Sequence, residues 1–146
     1  MKPPVQQAEE IFRAGFNCSQ AVLSAFAESL GMEQDLALKV SGPFGGGIGR
    51  MGETCGAVTG AVMVLGLRYG RVRATDLLTR DQSYAAARQL SERFRARHGA
   101  LSCRGLLGFE IGTPEGAERA RREKIHEKVC AQFVRSAAEL TEELLK

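Results

Sequence analysis

The chain has 146 residues, of which 44% are apolar and 25% charged, with a net charge of +3. This is the balance of a folded globular protein and excludes a disordered one. The length suits one ordinary domain, residues 1–146, with a core that needs no disulfide staples.

Trp is absent and aromatics are only 6%, so the core rests on Leu, Val, Ala and a few Phe. No basic segment followed by an apolar run opens the chain. The most apolar stretch, residues 56–67, is shorter than the about 20 residues of a membrane span. A cytoplasmic protein without membrane insertion is expected, and in that compartment thiols are kept reduced. Arginines recur at residues 88–97 and 119–122, interleaved in the second group with Glu115, Glu118 and Glu123. They read as solvated helix faces, and with no base-reading motif beside them no nucleic-acid partner is expected.

Pro3 and Pro4 stand where a first helix begins, followed by Ala8, Ile11 and Phe12 on one face until Gly15. Asn17 with Gln20 three residues on reads as a capping box. Ala21, Val22, Ala25, Phe26 and Leu30 then keep a helical period up to Gly31. A short helix is expected over 33–40, and residues 41–53 form a glycine-rich loop. Thr54 reads as the cap of a helix to about Tyr69. That helix is apolar almost all round and therefore central. Its Gly56 and Gly60, four apart, leave room for another backbone.

Thr75 and Asp76 open a long helix through Leu77, Leu78, Tyr84, Leu90 and Phe94 to His98 and Gly99. Ser102 starts a short turn, residues 103–107, and Thr113-Pro114-Glu115 starts another helix. Ile125, Val129, Phe133, Ala137, Leu140 and Leu144 then mark an amphipathic helix to the C-terminus. Nothing alternates with a period of two. The expected fold is all-α, a compact bundle of five or six helices with one glycine-rich loop.

Four cysteines, Cys18, Cys55, Cys103 and Cys130, carry the functional signal. A buried free cysteine is ordinarily a core residue, but Asn17, Thr54 and Ser102 precede the first three. This places those cysteines at the first helical position after a cap, where free N–H groups and the helix dipole favour a thiolate. A thiolate is both the redox nucleophile and the metal ligand. Cys130 is the outlier, in the middle of a helix. There is no C-x-x-C pair and no C-x-x-C-H, so no c-type haem is expected and any joint site is assembled by the tertiary fold.

Gly47-Ile48-Gly49-Arg50-Met51-Gly52 matches G-x-G-x-x-G in form. It lacks the preceding strand of a dinucleotide site, so no nucleotide cofactor is expected. The loop can instead aim backbone N–H groups at Cys55 from a concavity; alternatively its glycines only make tight turns and close packing. Gly49, Gly52 and Gly56 are the candidate residues lining a bound group. Glu53, two residues before Cys55, reads as an ordinary first-turn carboxylate, with a nearby base as the alternative, and Arg50 as a solvated arginine, with a role beside a thiolate or an anionic substrate as the alternative. His98 is explained by the helix dipole, and His126 lies on an exposed-looking face.

Cys18, the segment Cys55-Gly56-Ala57-Val58-Thr59-Gly60, Cys103 and Cys130 together resemble a family of redox-active proteins named for a C…C-G-A-x-x-G…C…C pattern. The resemblance runs over essentially the whole chain and implies a small helical bacterial or archaeal protein with redox activity and an unidentified redox partner. Some relatives are joined to haem-carrying cytochrome regions, which suits electron transfer. Two chemistries stay open. The four thiolates hold an iron–sulfur cluster or zinc, or they cycle metal-free between dithiol and disulfide.

Overall fold

The computed structural model describes residues 2–146. Eight α-helices follow in order: α1 (Pro4–Arg13), α2 (Cys18–Ala27), α3 (Gln34–Ser41), α4 (Gly56–Tyr69), α5 (Leu77–His98), α6 (Cys103–Leu107), α7 (Pro114–Arg122) and α8 (Ala131–Leu144). The class is all-α, as expected, with eight helices in place of five or six. The short stretches expected at 33–40 and 103–107 each form a helix of their own, α3 and α6. Lys124 adopts a left-handed backbone, φ 53°, which separates α7 from the C-terminal helix. The described residues contain no strand, only one antiparallel bridge between Thr54 and Ser102.

Local chemistry sets the helix ends. Pro4 begins α1, where its missing N–H costs nothing. Asn17 and Gln20 form the full capping box of α2. Asp76, Ser102 and Thr113 cap α5, α6 and α7 by accepting from Thr79, Gly105 and Gly116. Thr54 does not cap α4. Cys55 is itself the cap residue, because the preceding segment is held by residues 101–104 in the bridge.

The N-terminal half of α4 is the centre of the molecule, with α2, α5 and α8 packed around it and α1 against α2 and α8. Val22, Leu23, Val64, Leu65, Leu90, Phe94, Val134 and Leu140 fill the core. Burying each such side chain is worth about 1.5–3 kcal/mol. The Tyr69 hydroxyl donates to the Leu144 carbonyl at 2.6 Å and ties the end of α4 to the end of α8. Leu77, Leu78 and Tyr84, which share the helical period of α5, are exposed. Only Leu90 and Phe94 of α5 are buried, since its first half extends past the bundle. No helix is long and apolar enough to cross a membrane among the described residues.

Candidate functional site

The site begins where α2 crosses α4. A Cβ on Gly60 would lie 2.7 Å from the Ser19 carbonyl oxygen. One on Gly56 would lie 3.0 Å from the Ser19 nitrogen and 3.3 Å from Cys18 Cβ. Glycine at both positions therefore lets the two backbones meet. This contact brings Cys18, the first residue of α2, beside Cys55, the cap residue of α4.

A second device brings in Cys103. Residues 52–55 run antiparallel to 101–104. The Cys55 N–H donates to the Leu101 carbonyl at 2.7 Å, Cys103 N–H to the Glu53 carbonyl at 2.5 Å and Arg104 N–H to the Gly52 carbonyl at 3.1 Å. Arg104 secures the clamp with its side chain, donating to the Gly52 and Met51 carbonyls and pairing with the Glu53 carboxylate. Glu53 is thus engaged with arginine on the surface and does not serve Cys55 as a base. A Cβ on Gly47 would meet Cys103 Cβ at 2.8 Å and the Glu53 backbone at 2.6 Å, so glycine is also required there.

Cys130 arrives from the far side on a π-helical turn, residues His126–Cys130, that leads into α8. Such turns are rare and gather at functional sites, because the extra residue per turn re-aims side chains.

All four cysteines line one small cavity of about 60 Å³, together with Gly47, Gly56, Leu106 and His126. Of the glycines predicted to line a bound group, Gly56 does so. Gly52 is buried beside Arg104 and Glu110, and Gly49 lies outside, in open space. The loop amides of Ile48 to Glu53 donate to carbonyls of residues 43–48, so they are not aimed at sulfur.

The four thiols are free and electrically unequal. Cys18 lies between Cys130 and Cys55, which hold its hydrogen, and with burial they raise its pKa well above the ordinary thiol value. The pKa of Cys55 is lowered, first by the Cys18 hydrogen bond and then by the Ala57 and Val58 amides at the start of α4, against the cost of burial. The Cys18 hydrogen bond lowers Cys130 in the same way. The three thiols of this trio therefore differ in how readily each gives up its proton.

Burial, followed by the neighbouring charges of Cys55 and Cys130, pushes Cys103 up to about 12. The expected thiolates at all three helix starts are therefore corrected. Cys18 and Cys103 do follow a cap residue, but Cys18 serves as donor, and the five-residue α6 offers too little dipole to offset the burial of Cys103. Cys130, the outlier of the sequence pattern, joins Cys55 on the thiolate side.

His98 does not behave as its position implies, whereas His126 is exposed, as expected. His98 packs on Phe94 at 4.7 Å and edge-on to Phe133 at 5.0 Å between ring centroids. Burial lowers its pKa, so the imidazole is neutral and does not answer the helix dipole as a cation. His126 stacks on Phe12 at 4.0 Å and lines the cysteine cavity. The cysteine pattern contains no sign of this role; the one signal was its place one turn before Cys130.

Thiolate sulfur suits zinc and iron–sulfur centres, and four thiols around one cavity supply the right number. The arrangement is nonetheless not a preformed ligand cage. Among the described residues no three of His, Cys, Asp or Glu are disposed to hold a metal ion.

Residues 16–144 match the family described as "Putative redox-active protein (C_GCAxxG_C_C)". The pattern as named sets glycine ahead of cysteine, whereas here Cys55 precedes Gly56, the glycine on which α2 rests. No curated protein and no solved structure matches the chain.

Proposed function

This chain belongs to the C_GCAxxG_C_C family of redox-active proteins, and from that membership we propose that it works as a metal-free thiol–disulfide protein. The observation that carries the reading is that Cys18 and Cys55 meet where α2 crosses α4 and line one small cavity together with Cys130. Thiol exchange needs a thiolate, a second thiol close enough to resolve the bond, and a place for the proton. The trio supplies all three. Oxidation joins the Cys18 thiol to a neighbouring thiolate: the S–S bond forms, the Cys18 proton is released, and two electrons leave for a redox partner. Cys103, protonated and buried, stands beside the couple without entering it. A reduced resting state fits the cytoplasmic location expected from the sequence.

The test is a redox titration followed by peptide mass spectrometry. A disulfide from Cys18 to Cys55 or Cys130, absent in Cys18→Ser, is the expected product. A second reading rests on the convergence of four cysteines on one cavity, which then closes around zinc or an iron–sulfur cluster on binding. Stoichiometric iron or zinc in anaerobically purified protein, with all four thiols blocked to alkylation, would establish that reading and displace the first.

A further inference from the structure

Cys130 differs from the other three cysteines in one respect. Besides the small cavity it lines a larger groove of about 550 Å³ between the glycine-rich loop and α7. Ile111, His126 and Cys130 border both spaces and form the wall between them. Cys55 and Cys103 are buried; Cys18 and Cys130 are both partly exposed, and of these two only Cys130 borders the groove. The groove is of the size that takes a small molecule.

Its charge is uneven. Arg121 pairs with Glu118 within the lining. Arg50 also lines the groove and makes no ion pair or side-chain hydrogen bond among the described residues. Its backbone is held at φ 64°, a left-handed conformation costly for a side chain with a Cβ. The holding parts are visible. A Cβ on Gly46 would come within 2.8 Å of Arg50 Cα, and one on Gly112 within 2.2 Å of the Arg50 oxygen. Both neighbours are glycine, so the loop and the segment before α7 close on Arg50 from two sides. Strain kept in place by its surroundings points to a site.

We infer that Cys130 is the exchanging cysteine, that its substrate is a small disulfide bearing a carboxylate, and that Arg50 binds that carboxylate in the groove. The inference rests on the thiol–disulfide reading above. In the reducing direction the Cys130 thiolate attacks one substrate sulfur. A mixed disulfide forms, the substrate S–S bond breaks, and the first product leaves as a thiolate. Cys18 then attacks Cys130 sulfur and gives its proton to the departing second thiolate. The Cys18–Cys130 disulfide forms as the mixed disulfide breaks. One solvent proton completes the first product, so two electrons have passed from protein to substrate and two thiols are released. His126 and Ile111 border the approach without taking part in the bond changes.

The test compares three small disulfides at low ionic strength, where charge effects are least screened: dithiodiglycolate (anionic), dithiodiethanol (neutral) and cystamine (cationic). Reduced full-length protein is expected to react with dithiodiglycolate at least about tenfold faster than with cystamine, the equivalent of one charge-assisted hydrogen bond. Arg50→Asn, which tolerates the left-handed backbone, is expected to collapse that ratio. In Cys18→Ser the mixed disulfide is expected to be trapped on Cys130. An adduct on Cys55 or Cys103, or a charge preference that survives Arg50→Asn, would overturn the inference and leave the thiol–disulfide reading standing. Failure to exchange with any of the three disulfides would instead remove that reading, and this inference with it.

Discussion

The junction of α2 with α4 and the wall made by α7 and the π turn border the same cysteines and are built in opposite ways. At the junction, glycines bring two backbones into contact, and the residues that follow Cys18 and Cys55 in α2 and α4, among them Ser19, Ala21, Val22, Ala57 and Val58, are buried in a filled core. At the wall, α7 makes only sparse contacts with other helices, its one buried residue is Gly116, and its charges pair along its own surface. A thiol site needs both kinds of construction. The rigid side fixes the distance between reacting sulfurs, and the loose side admits what they react with. Local stability follows the density of buried contacts, so the wall is the part that opens at low cost.

The contrast predicts unequal responses to substitution. The largest falls on Gly60→Val. The added side chain must displace the Ser19 carbonyl, and a loss of about 2–3 kcal/mol is expected in urea denaturation under reductant. The Cys18–Cys55 spacing opens with it, so disulfide formation slows as well. A variant as stable as the parent would show that the junction is not the rigid side.

The next effect is on pH dependence. Cys103 has a folded pKa of about 12, above its unfolded value of about 8.5. The folded state therefore prefers the protonated thiol. The stability this contributes is complete below the unfolded value and is lost as pH rises from there towards the folded value. Denaturation under reductant is expected to show stability falling above about pH 8.5, with the fall reduced in Cys103→Ala. An identical slope in the two proteins would mean that Cys103 is not held in the state described.

The smallest effect falls on α7. Arg121→Ala breaks only the exposed pair with Glu118 and is expected to change stability by less than about 0.5 kcal/mol. A loss like that of Gly60→Val would erase the distinction between the two regions.

The one-dimensional pattern already contained the all-α class, most helix boundaries and the closeness of α4 to another backbone. These depend on nearest-neighbour chemistry: caps such as Asn17, Asp76 and Ser102, a 3.6-residue period, and small residues four apart. The four cysteines were legible as a set, through their family pattern and their neighbours. Their division of labour was not. Whether a helix-start thiol becomes a thiolate depends on burial and on which sulfur holds the shared hydrogen, and both arise only when α2, α4, α6 and the π turn meet. Cys55 became the cap residue of α4 because residues 101–104 hold the chain before it. Cys130 and Arg50 came to share a groove because Gly46 and Gly112 close on the loop from segments far apart in the chain. Local chemistry specified the helices and supplied the thiols. Long-range packing alone decided which thiol keeps its proton and which one borders the groove, because desolvation and proximity belong to the folded arrangement and not to any single segment.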